Sequence, residues 1–410
     1  MRQQIICGID IGNHAVKTII AGINPGSLRP QVLGVGSALS TGLRRGMVFD
    51  MDETTANIGE SIKQAENMAS VKVDRAYASI NGLHIRTQPS RGVIVVSRAD
   101  NEITRHDVDR LIEAASTVSL PPNREIIHVI PKVFVIDAQE HVKNPIGMKG
   151  VRLEAEVTLV EGLSPYIRNL AKCINANDVE VVEFIYVPLA LAKSVLERHQ
   201  KEHGVLSLDF GGGISTMAFF HEGEPIYMAT LPIGSRHVTN DLAVAFRTSM
   251  DKAEKIKLEY GLIGSEDLKR EQVDLSTLVN EENFTVPKKQ IAKIVNCRAS
   301  ELFDLIATEL KKLPHSYLLP AGVVLTGGGA NLPGLVDFVK NRLNLAVVVG
   351  EDRMLEGLSD KISDPAFAVA TGLVAWGFEK QFGSGKIMPA GRLISDTAAG
   401  ISRWFKNFLP

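Results

Sequence analysis

Apolar and polar positions set out most of the elements before any motif is considered. Ile5–Ile20 holds two apolar runs separated by Gly8-Ile9-Asp10-Ile11-Gly12-Asn13-His14, and a third run, Gln31–Leu39, follows the turn Asn24-Pro25-Gly26. Short apolar runs bounded by turn residues predict consecutive strands of one small sheet. The period then changes. Ile58, Ile62, Ala65 and Ala69 recur at helical spacing and predict an amphipathic helix over Asp52–Ala69. Residues 76–82 return to a strand pattern.

A separate α+β unit is predicted over 84–162. Val93–Val96 reads as a strand, and Thr104-Arg105-His106-Asp107 has the spacing of a capping box. Val108, Leu111, Ile112 and Ala115 then fall on one helix face. Ile126–Ile136 is rich in strand formers but contains Pro131, which cannot donate to a ladder and so predicts an edge or a bulge. Glu154–Val160 closes the unit.

Further on, helices are predicted over Ile167–Ile174, Pro188–Arg198, 235–262, Pro287–Leu313, Leu332–Leu343 and Asp364–Phe378. Strands are predicted at Glu180–Val187, twice within Val205–Phe220, and at Val323–Thr326. Residues 264–287 read as a polar loop. From Gly383 the chain turns to glycine, small polar residues and Pro389, a flexible linker over 383–397 before the tail 398–410.

Composition acts mainly by exclusion. A chain of 410 residues exceeds one core, so two or more subdomains are expected. A formal charge of -2 excludes nucleic-acid binding through bulk charge. No apolar run approaches the roughly 20 residues of a membrane-spanning helix. Cys7, Cys173 and Cys297 lack metal-cluster spacing and read as buried thiols of a reducing compartment.

The candidate chemistry lies in three glycine turns, each after a strand: Asp10-Ile11-Gly12-Asn13 with Lys17 beyond it, Asp209-Phe210-Gly211-Gly212-Gly213, and Thr326-Gly327-Gly328-Gly329. Glycine lets backbone N–H groups approach phosphate oxygens. Asp10 and Asp209 suit a hydrated Mg²⁺, which keeps its waters and takes few carboxylates. The third turn is expected to open a helix whose N-terminus suits an anion. No Walker A loop occurs. Glu254 and Lys257 lie three apart on a helix and suit ribose hydroxyls and a base edge.

These turns, with the connecting helices Pro188–Arg198 and Asp364–Phe378, resemble the phosphate and adenosine motifs of the actin, DnaK-type chaperone and sugar-kinase superfamily. Within it the whole chain is similar to the FtsA family. The early Gly8-Ile9-Asp10-Ile11-Gly12, the unit at 84–162 and the linker with its tail carry that likeness. The resemblance implies a two-lobed α/β actin-like ATPase fold with an extra α+β subdomain and a C-terminal amphipathic helix. It implies ATP and Mg²⁺ in the cleft, filaments of the chain itself, and binding of the FtsZ C-terminal peptide. Its implied partition is 1–83 with 163–197 and 363–382, the inserted 84–162, 198–232 with 303–362, and 233–302.

Some positions depart from the superfamily pattern. Asn13 stands where Ser or Thr is usual, Ile214 where Thr is frequent, and Thr216 where an acid is frequent. Val187-Pro188-Leu189-Ala190 lacks the water-orienting Glu or Gln of hydrolysing relatives. These departures predict ATP held on backbone amides, with hydrolysis weak or absent.

Ile401, Trp404, Phe405, Phe408 and Leu409 fall on one helical face, with Arg403 and Lys406 opposite. Aromatic residues with flanking cations are an interfacial composition, so the tail is expected to bind membrane lipids reversibly. Lys288, Lys289, Lys293 and Arg298 place cations along one helix, and Arg298 is a candidate contact for the FtsZ peptide. The unit at 84–162 is a candidate surface for other division proteins. A scaffold like PilM, or a small-molecule kinase of the superfamily, is the alternative.

Overall fold

The computed structural model describes residues 4–24, 27, 29–264, 271–279, 284–313, 318–357 and 359–382. The predicted linker and tail, with Ile401 to Leu409, lie outside the described residues.

Two five-stranded sheets built on one plan carry the architecture. In the first, Gln4–Ile11, Ala15–Ile23 and Gln31–Leu39 form an antiparallel meander, and Arg75–Ile80 and Glu180–Tyr186 add in parallel beside Gln4–Ile11. In the second, Val205–Phe210, Ser215–His221 and Glu224–Leu231 make the meander, and Val323–Thr326 and Val347–Val349 add in parallel. Helix Met51–Ala69 starts where Asp50 Oδ1 accepts the Glu53 N–H at 2.9 Å. It lies flat on the strand below because Gly36 has no side chain. A Cβ there would fall 1.9 Å from Ser61 O.

Between the lobes cross helices Val187–Ser194 and Ala368–Phe382. Every residue from Ala368 to Gly377 is buried, so this segment is apolar on all sides, as a central helix must be. Gly372 permits the crossing, since a Cβ on it would lie 2.1 Å from Ala190 O. Trp376 Nε1 donates to Glu183 at 3.3 Å, so the indole is buried with its polar atom satisfied.

The inserted unit is a four-stranded antiparallel sheet in the order Arg86–Val95, Arg152–Leu163, Arg124–Ile136, Glu140–Val142. Helix Arg105–Ser116 packs on it through Val108, Leu111, Ile112 and Ala115, and the Thr104–Asp107 capping box forms. Pro131 does mark a bulge. It pairs with Val157 while Val133 pairs with Glu156, leaving Lys132 without a ladder partner.

The structure corrects several expectations. The helix expected over Pro188–Arg198 breaks into Val187–Ser194 and Arg198–His203. Gly350 packs against Val195 at the break, and the Arg353 N–H takes the Ser194 carbonyl at 3.3 Å. The third glycine turn opens a 3-10 turn, Gly328–Asn331, and not an α-helix. The helix expected from Leu332 starts at Leu335, after Pro333 and a left-handed Gly334 (φ +81°). Residues 264–287, expected as a loop, contain a two-stranded ribbon, Gln272–Asp274 with Thr285–Pro287, and a short helix, Ser276–Val279. Strand Glu224–Leu231 was not expected. Cys7 and Cys173 are buried, but Cys297 is exposed on its helix.

Candidate functional site

Asp10 and Lys17 are directly opposite in the register of the first hairpin, so both side chains leave the same face of the sheet. Lys17 Nζ lies 3.5 Å from Asp10 Oδ2. Ser79, at the end of the neighbouring strand, donates its hydroxyl to Asp10 Oδ1 at 2.9 Å and accepts the Ile11 N–H at 2.8 Å. The Asp10 carboxyl is thereby fixed while buried.

The second lobe repeats this geometry with one substitution. Asp209, next to last on its strand, stands opposite Thr216. Thr216 occupies the place Lys17 holds in the first lobe, and its hydroxyl accepts the Asn81 amide at 2.7 Å. Asn81 also accepts the Thr230 hydroxyl at 3.1 Å, and Thr230 meets the Tyr186 hydroxyl at 3.1 Å. One first-lobe amide therefore holds the base of the second-lobe meander. Burial pushes the Asp209 carboxyl up to about 7, the Asp10 charge adds to this, and Lys17 opposes it.

The turns beyond the two aspartates touch each other. Gly12 donates its N–H to Ala15 O at 3.2 Å, and Gly211 packs against Ile214 O, which a Cβ on it would meet at 2.7 Å. Gly212 abuts His14 and Gly213 abuts Asn13. Asn13, an expected phosphate contact, accepts the Gly46 N–H at 3.0 Å and so also anchors a neighbouring hairpin. The carbonyls of Gly211 and Gly212 accept N–H groups of Ser235 and Arg236, each at 2.8 Å, so the second turn seats the start of helix Ser235–Ala245. Gly327 (φ +80°) and Gly329 pack on Asp209 and Phe210, whereas Gly328 has room for a Cβ, which would lie 3.9 Å from Ala366 Cβ.

Glu254 and Lys257 pair at 2.8 Å and share the Thr239 hydroxyl, with Lys257 Nζ 3.1 Å from it. Burial would raise the Glu254 carboxyl, but Lys257 and Thr239 outweigh it and hold it below the ordinary value. His14 joins this pair to the first turn. Burial lowers its pKa, Glu254 opposes, and Lys257, Lys17 and Arg236 add to the lowering. The residues expected around phosphates and nucleoside thus gather at one cleft. Arg298 belongs elsewhere: its guanidinium is bidentate on Asp241 at 2.8 and 2.9 Å and also meets Glu301.

Sequence reasoning missed Ser79, Asn81, Thr230 and His14. His14 carried a signal, lying within the first turn, while the others become legible only through strand register. The donor set at the cleft fits Mg²⁺. Two buried carboxylates from different lobes converge with only Lys17 to offset them, and no cluster of three or more potential ligands occurs among the described residues. Such a set leaves most coordination sites to water and phosphate oxygens.

Comparison with known proteins identifies the family. The model of cell division protein FtsA matches residues 206–372, and that of the SHS2 domain inserted in FtsA matches 82–161. Cell division protein FtsA of Pseudomonas aeruginosa is 34% identical over 384 residues, covering 92% of this chain and 90% of its own. The chain belongs to the FtsA family of cell-division proteins. FtsA of Borreliella burgdorferi is 32% identical, covering 93% of this chain and 92% of its own, and FtsA of Escherichia coli K12 is 30% identical, covering 92% and 91%. The fold of this chain is the actin-like ATPase fold. A PilM–PilN type IV pilus biogenesis complex aligns with TM-score 0.66 at 16% identity over 91% of this chain and 98% of its own. MreB5 of Spiroplasma citri bound to ADP aligns with TM-score 0.54 at 12% identity over 93% and 99%. Among the described residues no helix is long and apolar enough to cross a membrane.

Proposed function

We propose that this FtsA-family protein binds Mg·ATP between its lobes, assembles into filaments, and tethers FtsZ filaments to the cytoplasmic face of the cell membrane at the division site. The convergence of Asp10, Lys17 and Asp209 beneath two touching glycine turns carries the reading. Gly12, Gly211, Gly212 and Gly213 offer backbone amides to phosphates. Asp10 and Asp209 hold the hydrated cation, and Glu254 with Lys257 faces the nucleoside. The cation, when bound, neutralises phosphate charge. MreB5, which shares the fold, was solved with ADP and with AMPPNP, and this agrees with a nucleotide here.

ATP serves mainly as a structural ligand. Val187, Pro188, Leu189 and Ala190 begin the connecting helix, and all are buried and apolar. General-base assistance is worth about 10²–10⁴-fold, and no group there supplies it.

The tail 398–410 supplies membrane affinity. A single chain binds weakly, because interfacial insertion is partial and ordering a segment costs about 1–2 kcal/mol per residue. Many tails on one filament bind together by avidity, so assembly and attachment are coupled. The helix bearing Arg298 receives the acidic FtsZ peptide, and 84–162 faces other division proteins.

The test is recruitment of FtsZ filaments to vesicles containing anionic lipid. Recruitment requires the full chain and ATP. A chain ending at residue 397 folds and binds ATP but leaves FtsZ in solution. Vesicle binding by that truncated chain contradicts the reading.

A further inference from the structure

By connectivity the inserted unit belongs to the first lobe, yet it grips the second. Strand Glu224–Leu231 is an edge of the second-lobe sheet. Three donors of the inserted unit reach main-chain carbonyls along it and its turn. Thr87 Oγ1 reaches Met228 O at 3.5 Å, Lys132 Nζ reaches Ile226 O at 3.4 Å, and Lys143 Nζ reaches Glu222 O at 2.5 Å. Lys143 also lies 3.3 Å from Glu202, on the helix Arg198–His203.

The middle contact joins two irregularities. Lys132 is the residue left over at the Pro131 bulge. Ile226 is skipped in its own ladder, since Tyr227 pairs with Phe219 and Pro225 with Phe220. Bulges re-aim side chains, and here one bulge aims an ammonium at the carbonyl another has freed. Burial lowers the Lys132 pKa against the pull of Glu156, so the seam places charge where solvation is poor. Close by, Glu224 Oε2 is buried without a hydrogen-bond partner, a second acceptor two residues from the carbonyl Lys143 now holds.

The gripped strand is also connected to the cleft. Ser215–His221 starts at the Gly211–Gly213 turn and ends beside Glu222, and Thr216 and Thr230 at the cleft end hold Asn81. A meander this short moves as one body, so a change at the glycine turn displaces its far end.

We propose that Thr87, Lys132 and Lys143 form a clasp that couples the tilt of the inserted unit to the angle between the lobes, and through the second glycine turn to the nucleotide. The last step rests on the nucleotide reading above. Such side-chain bonds to carbonyls are strong enough to bias the tilt and weak enough to be exchanged.

The experiment uses the full chain with Cys297→Ser and spin labels at Glu113→Cys and Lys340→Cys, both exposed positions on the inserted unit and the second lobe. Distance distributions are recorded with and without Mg·AMPPNP, and calorimetry on the same samples measures binding. With the clasp intact, the ligand shifts the distribution. In Lys132→Met with Lys143→Met, the ligand-free distribution is broader, the ligand no longer shifts it, and affinity changes by about fivefold or more. Ligand binding without any shift in the intact protein overturns the coupling, as does an unchanged response in the double variant. Should calorimetry find no binding, the nucleotide reading fails separately. The ligand-free pair then decides: broadening in the double variant supports the clasp, and identical distributions overturn it.

Discussion

A Cβ atom on Gly212 would fall 2.7 Å from the Cβ of His14. One turn comes from each lobe, so this contact sets how closely the lobes approach where phosphates are to bind. Gly213 repeats it against Asn13, at 2.9 Å.

Gly212→Ala is therefore expected to part the turns and weaken Mg·ATP binding by about tenfold or more, since overpacking costs roughly 1–3 kcal/mol. Each lobe's own core is untouched, so the ligand-free melting temperature should barely move. Calorimetry and thermal melts on the same protein check this.

Asn81→Ala removes the amide shared by Thr216 and Thr230. It leaves the buried Thr216 hydroxyl unpartnered, while Thr230 keeps its contact to Tyr186, at a cost of about 1–3 kcal/mol. A lower urea midpoint is expected, together with a smaller stabilisation by Mg·ATP than in the parent. An unchanged midpoint would show that this bridge does not join the lobes.

His128 gives a pH dependence of known sign. Its Nε2 accepts the Tyr186 N–H at 3.1 Å. Burial lowers its pKa from 6.5 to about 3, with Lys380 adding to the effect. Above pH 6.5 the ring is neutral in both folded and unfolded chains, and its contribution is fully present. As pH falls from 6.5 towards 3 the unfolded chain takes up the proton and the folded one does not, so stability is lost, by up to about 1.4 kcal/mol per pH unit. His128→Gln keeps an acceptor and removes the titration. Urea unfolding at pH 7 and pH 5 should show a smaller loss for that variant.

Gly372→Ala tests the crossing of the central helices. Its Cβ would press on Ala190 O, and neither buried helix has room to yield. A loss on the order of 3 kcal/mol is expected, seen as a lower melting temperature and less soluble protein.

Much of this was legible in the chain. Ile58, Ile62 and Ala65 gave the first helix its face, and all are buried. Thr104 with Asp107 marked a helix start that the structure keeps, and Pro131 marked a bulge. Two of the misses share one cause, tertiary contact overriding local pattern. Nothing between Val195 and Glu197 punctuates a helix; the break comes from Gly350 and Arg353, distant in sequence. Strand Glu224–Leu231 opens with Glu-Pro and mixes Tyr227 and Thr230 among apolar residues, so only pairing with Ser215–His221 defines it. At the cleft, Asp10, Lys17, Asp209 and the glycines announced themselves by spacing. Ser79 and Asn81 did not, because a serine and an asparagine at a strand end usually serve the turn alone.

Calorimetric titration of the full-length protein with ATP, with and without Mg²⁺, tests the central claim most directly. One nucleotide per chain should bind with Mg²⁺ present, and binding should fall by about tenfold or more in Asp209→Asn, in line with the loss of a buried charged contact. Absence of binding heat in a protein that circular dichroism shows to be folded, or equal affinity in Asp209→Asn, contradicts it.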